Sequence, residues 1–276
     1  MGIIGCGDAP PSWVQEQIHM TRERTQKPFG INIMLMSHSL NEIIKITLDE
    51  KVKIVTFGGG NPGIYMSAFK EAGLTVIPVV ASVAIARRLE RSGADAVIVE
   101  GIESGGHVGE TTTLALLPQV VDKVNIPVIA AGGIADGRGL VAALALGAQG
   151  VQMGTRFICS NECIAHPAFK EKIVQAQDRA TTVTGVSTGH PVRCMENKLT
   201  RQFDALEKSG ATKTELEDFG RGRLFLGVIQ GNIEEGSLMA GQIAGLIADI
   251  KPVRQILQDI MSEAEKALDR VSKYKV

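Results

Sequence analysis

Short apolar runs alternate along the chain with stretches in which apolar residues recur at helical spacing. Most runs are rich in valine or isoleucine and end at glycine, asparagine or serine, as expected of strands buried on both faces of a parallel sheet. Seven runs have this character: residues 2–7, 29–35, 52–57, 75–80, 94–99, 127–131 and 150–157. The stretches between them predict helices over residues 13–23, 63–71, 83–92 and 137–146, with Ser12 capping the first and Asn61-Pro62 opening the second.

Repeated strand–helix units favour a parallel sheet with right-handed crossovers. The strands begin roughly one such unit apart, which is typical of a (β/α)8 barrel. Such a barrel has eight strands, whereas this chain has seven apolar runs and starts almost directly on the first. The phosphate-binding loops of these barrels follow strands seven and eight, but the glycine-rich candidates here follow the sixth and seventh runs.

The low number of strands and the early position of the glycine-rich loops are both explained if one βα unit is missing at the N-terminus. We therefore expect an α/β protein with a TIM (β/α)8 barrel fold that lacks the first βα unit and has a helical C-terminal extension. The alternative is a natural open sheet of seven strands, which is less favourable because a missing strand leaves two unpaired edges.

The strand–helix rhythm stops after residue 157. Helical patterns follow over residues 167–177 and 198–207, then a helix of small residues over 237–248 and an amphipathic helix over 252–274. Because no second independent core is evident, we expect residues 1–276 to form a single domain. Residues 158–235 would form a helical and loop cap, and residues 236–276 the C-terminal helices.

Composition and charge argue against some classes of binding partner. The net charge of −1 gives no general attraction to nucleic acids or to anionic membranes, and no apolar run approaches the ~18 residues of a membrane span. The four cysteines are scattered and the N-terminus does not resemble a signal peptide, so we expect a cytoplasmic protein without a metal site. The amphipathic C-terminal helix allows either a homodimer or an intramolecular contact.

The residues with the strongest chemical signal lie at the end of the fifth run, in the segment from Glu100 to Gly109. Gly105 and Gly106 let the backbone approach a ligand closely, and His107 places a titratable ring beside it. Because parallel α/β enzymes have catalytic groups at the C-terminal ends of strands, this segment predicts an active site. We expect Glu103 to be solvated or to support the site from outside.

Two glycine-rich turns follow the next two strands. One contains Gly132 and Gly133 and opens a helix, and the other contains Gly154 and Thr155. Backbone N–H groups in such turns bind anions, and two turns on consecutive βα units form the usual phosphate site of a barrel. Asn32, Gly58–Gly60, Glu100 and Gly105-Gly106 could then surround a large flat cofactor. A nicotinamide bound in Rossmann fashion is not supported, because no Gly-x-Gly-x-x-Gly is followed by an acidic residue.

These motifs also carry a family resemblance. The segments Glu-Gly-Ile-Glu-Ser-Gly-Gly-His, Pro-Val-Ile-Ala-Ala-Gly-Gly-Ile-Ala-Asp-Gly, Gln-Met-Gly-Thr-Arg-Phe and Met-Ala-Gly-Gln-Ile-Ala-Gly resemble those of the flavin-dependent enoyl-(acyl carrier protein) reductase II family, which is related to the nitronate monooxygenases. The resemblance extends along the whole chain. It implies a TIM barrel that binds FMN, with NADH or NADPH as the reductant. The first strand and Gly-Gly-Met turn of that family are not found here.

The resemblance also implies roles for individual residues. Gly132, Gly133, Gly154 and Thr155 would hold the FMN phosphate, and Asn32, Glu100 and Gln152 would contact the flavin ring or the ribityl chain. Met239 and Gln242 would close the site, with His107 as the catalytic histidine. His190-Pro-Val-Arg193 would be a contact for substrate or nicotinamide.

The expected activity is reduction of trans-2-enoyl thioesters of acyl carrier protein with NADH or NADPH, as in fatty acid biosynthesis. The first alternative is a nitronate monooxygenase that oxidises alkyl nitronates with FMN and O2. The second is a flavin-binding homologue without catalysis. One set of residues serves both enzymatic alternatives, so the site alone does not separate them. The segments 165–167 and 189–193 favour the reductase.

Overall fold

The structure is a computed structural model and describes residues 1–274. In this part of the chain the strands are β1 (Ile3–Gly5), β2 (Gly30–Met34), β3 (Ile54–Gly58), β4 (Thr75–Val80), β5 (Val97–Glu100), β6 (Gly106–His107), β7 (Val128–Ala131), β8 (Gly150–Gln152), β9 (Thr181–Thr184) and β10 (Val192–Met195). The helices are α1 (Pro11–Arg24), α2 (Leu40–Asp49), α3 (Met66–Glu71), α4 (Val83–Arg91), α5 (Thr113–Val121), α6 (Gly137–Ala145), α7 (Thr155–Ile158), α8 (Pro167–Val174), α9 (Lys198–Lys208), α10 (Lys213–Gly220), α11 (Arg223–Val228) and α12 (Val253–Ser272). Three short 3₁₀ segments are Pro62–Tyr65, Val186–Thr188 and Gln242–Leu246.

Each of the seven apolar runs contains a strand of one sheet. The strand order is β1-β2-β3-β4-β5-β7-β8, and the register of the first five strands is parallel throughout. This order confirms the expected α/β fold of the TIM-barrel type, with seven parallel strands. The last run is shorter than predicted, because the strand ends at Gln152 and the apolar residues of α7 continue as a helical turn after Gly154.

By its internal contacts the chain divides into two compact units. The first comprises Met1–Val99 and Gln119–Ile129, and the second comprises Glu100–Pro118 and the residues from Ala130 onward. In the first unit Phe57 of β3 and Phe69 of α3 are fully buried and meet edge to face, with their ring centroids 5.3 Å apart. The assignment of residues 1–276 to a single domain stays a prediction.

Most helices of the strand–helix units begin where the sequence predicts. Asn61 accepts a hydrogen bond from the Gly63 N–H, and Ser82 and Asp136 cap α4 and α6 in the same way. The predicted cap at Ser12 is wrong. The helix starts one residue earlier, at Pro11, because the fixed φ angle of proline suits the first helical position and needs no N–H donor there.

The second unit contains elements that the hydrophobic pattern did not predict. Strands β6, β10 and β9 form a separate antiparallel sheet in that order. The predicted helix over residues 237–248 is wrong, since only Gln242–Leu246 forms a 3₁₀ turn. The chain before it is extended because its polar backbone groups pair outside the segment: the Gly241 N–H, for example, donates to the Thr155 hydroxyl.

The long C-terminal helix α12 packs on α6 through small residues. Ala264 and Ala267 are buried against Val141, and Gly137 lies so close to the α12 backbone that a Cβ would come within 2.2 Å of the Ala264 nitrogen. The prediction of a terminal helix is therefore confirmed, with an intramolecular contact for its apolar face. In the described residues, none of the helices has the length and apolar character needed to cross a membrane.

Candidate active site

A cavity of about 270 Å³ lies in the second unit, beyond the C-terminal ends of β5, β7 and β8. Three consecutive strand ends and the segment 239–243 form its walls. The lining includes eight residues that the sequence predicts for the cofactor: Glu100, Gly105, Gly132, Gly133, Gln152, Gly154, Thr155 and Met239. The strand-end motifs therefore converge on one cavity. Sequence reasoning missed Ser104, Met153, Gly241 and Ile243, which also line it.

Five predicted site residues do not line this cavity. Gly106 and His107 form β6, directly after the lining residue Gly105, and Gln242 stands between the lining residues Gly241 and Ile243. Asn32 and Gly58 belong to the first unit, in β2 and β3. There the Asn32 side-chain amide donates to the Thr56 hydroxyl at 2.8 Å, so one of its polar groups is satisfied within the sheet.

The turn at Gly132 and Gly133 has a conformation that favours glycine. Their φ angles are +86° and +74°, and a Cβ on Gly132 would also come within 3.0 Å of the Gly101 carbonyl oxygen. The helix that follows is not free to bind an anion. Asp136 accepts from the Arg138 and Gly139 N–H groups, and Glu263 of α12 accepts from the Gly137 N–H. The backbone donors of this motif that stay open to an anion are therefore those of the turn, where the predicted residues Gly132 and Gly133 lie.

Gly154 and Thr155 open onto the cavity at the end of β8. Apart from Gly154 itself and its two chain neighbours, no heavy atom of residues 1–274 lies within 4 Å of the position that a Cβ on Gly154 would take. The buried Thr155 hydroxyl accepts a hydrogen bond from the Gly241 N–H at 2.9 Å. Because a hydroxyl that accepts one bond still has its own proton to donate, Thr155 can offer an O–H donor to a ligand.

The cavity wall also contains a buried carboxyl group and a buried hydroxyl. Burial raises the pKa of Glu100 from its ordinary value of 4.5 to about 7, although the neighbouring Ser104 hydroxyl opposes the rise. Ser104 is 7% exposed, and its Oγ makes no hydrogen bond of normal geometry with the described residues. An unsatisfied buried hydroxyl is costly, so Ser104 is prepared to bind a polar group of a ligand.

The raised pKa of Glu100 predicts a particular dependence of stability on pH. Between about pH 4.5 and 7 the folded protein keeps a proton that the unfolded chain has released, so a rise in pH over this interval lowers the free energy of unfolding. The full loss corresponds to roughly 3 kcal/mol. We expect flavin-free wild-type protein to lose this stability relative to Glu100→Gln when both are denatured with urea from pH 4.5 to 7.5. Parallel pH profiles of the two proteins would contradict the assignment.

His107 is half-buried on β6, where its backbone pairs with Val192 of β10. Burial lowers the pKa of His107, and the nearby His190 lowers it further. The ring is therefore neutral at pH 7, with one nitrogen as a donor and the other as an acceptor.

Two other charged residues near this segment have structural partners. Glu103 accepts hydrogen bonds from the N–H and the hydroxyl of Thr113, at 2.9 and 3.0 Å, and so supports the start of α5. Arg193 is only 6% exposed and donates to the Ile102 carbonyl at 3.0 Å and to the Thr181 hydroxyl at 3.1 Å. It holds the loop after β5, which leaves the predicted contact with substrate or nicotinamide to the exposed His190.

Several known proteins are similar to this chain. A family model described as nitronate monooxygenase matches residues 38–263. The (3aS,4S,5R,7aS)-5-hydroxy-7a-methyl-1-oxo-octahydro-1H-indene-4-carboxyl-CoA dehydrogenase of Rhodococcus jostii is 31% identical, over 98% of this chain and 87% of its own length. A probable nitronate monooxygenase of Staphylococcus saprophyticus is 29% identical, over 98% of this chain and 89% of its own.

A solved structure is more similar. FabK from Thermotoga maritima is 50% identical, with a TM-score of 0.96 over all of this chain and 88% of that one. The chain belongs to the nitronate monooxygenase family, a family of flavin-dependent oxidoreductases.

Proposed function

We propose that the protein is an FMN-dependent oxidoreductase that reduces trans-2-enoyl thioesters of acyl carrier protein with NADH or NADPH. The similarity to FabK along the whole chain carries this proposal, since it is stronger than the similarity to the relatives named as nitronate monooxygenases. The relative named as a carboxyl-CoA dehydrogenase also supports a thioester, because its substrate is a compound of coenzyme A.

The cavity residues fit a flavin phosphate and ribityl chain. The Gly132–Gly133 turn and the Thr155 hydroxyl supply donors for a phosphate, and Gly154 leaves open space beside them. Glu100, Ser104 and Gln152 supply polar groups for the hydroxyls and ring edge. We assign Gly105, Gly106, Met239 and Gln242 to the walls of the same site. A flavin contact by Asn32 and Gly58, which lie in the first unit, stays a prediction. When bound, the flavin supplies hydride transfer from nicotinamide to substrate.

His107 is proposed as the catalytic residue of the reduction. Its neutral imidazole can donate a hydrogen bond to the thioester carbonyl oxygen and so favour attack at the β-carbon. Alternatively, a ring that carries the extra proton can deliver it to the α-carbon. Because burial disfavours the charged imidazolium, such a proton would be given up readily.

Anaerobic stopped-flow absorbance on the FMN-loaded protein tests this function. We expect NADH or NADPH to bleach the flavin absorbance, and a crotonyl thioester to restore it within the turnover time of the enzyme. Recovery with the thioester would exclude a flavin-binding protein without catalysis. Bleaching by an alkyl nitronate together with no recovery by the thioester would contradict the proposal.

The second candidate is nitronate monooxygenase, which the matching family model favours. In that reaction the neutral His107 would act as a base, and alkyl nitronates rather than nicotinamides would reduce the flavin before O2 reoxidises it. The same stopped-flow experiment with nitronate and O2 separates the two.

A further inference from the structure

We propose that Glu207 is a positioning residue for His107 and acts through the loop of residues 185–191. This inference rests on the catalytic role proposed for His107. It assigns a function to a side chain that lies on α9, outside the cavity lining.

Glu207 binds the tip of the loop with both of its carboxylate oxygens. Oε2 accepts a hydrogen bond from the Gly185 N–H at 2.9 Å. Oε1 accepts from the Ser187 N–H at 2.9 Å and from the Ser187 hydroxyl at 2.6 Å. Three hydrogen bonds to one ionised group are stronger than bonds between neutral partners, and in spite of its partial burial they hold the pKa of Glu207 below its ordinary value.

Apart from hydrogen bonds within the loop itself, apolar burial contributes little to its shape. Gly185 and Gly189 both have φ angles near +80°, and the side chain of Val186 at the tip is 66% exposed. A loop with little apolar burial is expected to open at low cost unless polar contacts fix it. The Glu207 carboxylate adds three hydrogen bonds that join this loop to α9.

Hydrogen bonds continue from the loop tip to the strand of His107. The Thr188 hydroxyl donates to the Gly185 carbonyl at 2.7 Å and accepts from the His190 N–H at 3.1 Å. The Pro191 carbonyl then accepts from the Val108 N–H at 3.1 Å, directly after His107. The next residue of the loop strand, Val192, pairs with His107 itself. Movement of the tip would therefore be transmitted to the backbone of His107 and Val108.

The two-oxygen arrangement predicts that glutamine cannot replace Glu207. A glutamine side chain has one acceptor oxygen, and its NH2 group would face one of the two N–H donors. We expect Glu207→Gln to lower kcat about tenfold. A small displacement of a catalytic group reduces the fraction of enzyme–substrate complexes in which that group is correctly placed for the reaction. FMN affinity should stay within about twofold, since Glu207 does not line the cavity.

The experiment compares Glu207→Gln with Asp204→Asn, on the same helix, and with His107→Ala and the double variant. Asp204 forms a hydrogen bond and an ion pair with the exposed Lys208, and its charge repels the Glu207 carboxylate. Because Asp204→Asn removes this repulsion and leaves the Glu207 contacts to the loop in place, this variant should retain wild-type kcat. All rates are expressed per bound FMN at 25 °C, which removes the contribution of unfolded protein. If Glu207 acts through His107, the double variant should be no slower than His107→Ala alone.

The outcomes separate this inference from the proposed function. A wild-type rate per bound FMN in Glu207→Gln would overturn the inference, as would a double variant about tenfold slower than His107→Ala. A wild-type rate in His107→Ala would instead overturn the catalytic role of the histidine. If Glu207→Gln does not fold, Ser187→Ala removes only the hydroxyl contact and should give a smaller loss of kcat in the same direction.

Discussion

Replacing His107 with alanine is expected to lower kcat for enoyl-thioester reduction by about 10²- to 10⁴-fold, the usual contribution of a positioned acid or base. The flavin should remain bound, because His107 does not line the cavity that we assign to the cofactor. Steady-state rates with a crotonyl thioester, measured per bound FMN, check the first part. The absorbance of FMN retained after gel filtration checks the second.

His107→Gln distinguishes the two roles open to the histidine. Glutamine can donate a hydrogen bond to a carbonyl oxygen but cannot carry a proton near neutral pH. If His107 polarises the carbonyl, the glutamine variant should keep part of the activity that alanine loses. If it transfers a proton, both variants should be equally slow. Undiminished turnover in His107→Ala would contradict either role.

The pH profile of kcat gives a further expectation for the same residue. Because the pKa of His107 is lowered, the neutral ring predominates from physiological pH upward. If the neutral ring is the active form, kcat should be constant in that range and fall only when the pH drops below the lowered pKa. If the protonated ring is required, kcat should instead decline as the pH rises through that pKa.

The main sheet could be predicted from the sequence because its strands are buried on both faces. Runs such as 75–80 and 94–99 consist almost wholly of apolar residues, and each contains an observed strand. The antiparallel sheet could not be predicted in this way. Its strand β9, with the sequence Thr-Thr-Val-Thr, is short and polar, and β6 has only two residues. Such strands are defined by distant partners rather than by local periodicity.

The candidate site was predicted most successfully where function depends on the position of a strand end. Glu100 ends β5, Gly132 and Gly154 follow β7 and β8, and the ends of parallel strands meet on one side of a sheet. Contacts with a partner that is remote in sequence could not be predicted in this way. The start of α6 is capped by Glu263, 126 residues away, and no local signal indicates that contact.

Ser104 shows a different limit. It lies inside the motif that carries most of the prediction, between Glu100 and Gly105, yet serine is common in loops and gives no signal of its own. Its importance becomes visible only when its hydroxyl is seen to be buried in a cavity wall without a hydrogen bond to the described residues.

Enlarging Gly154 is expected to weaken FMN binding by more than about a hundredfold, with little loss of stability in the flavin-free protein. Beyond Gly154 and its two chain neighbours, no atom of the described part of the chain lies within 4 Å of the added Cβ. Because the φ angle of −107° is also accessible to any residue, the new side chain should not disturb the fold. It would instead occupy space beside the Thr155 hydroxyl, which we assign to the phosphate. A graded series, Gly154→Ala and then Gly154→Val, should lose affinity with increasing size.

Gly150 provides the matched control on the same strand. A Cβ there also has no neighbour within 4 Å, but Gly150 does not line the cavity. Fluorescence titration of FMN should give Gly150→Val a wild-type dissociation constant, and urea denaturation should give all flavin-free variants similar stability. If Gly154→Val binds FMN with wild-type affinity, the end of β8 is not part of the phosphate site. Equal losses in both valine variants would show that bulk on β8, rather than contact with the cofactor, lowers affinity.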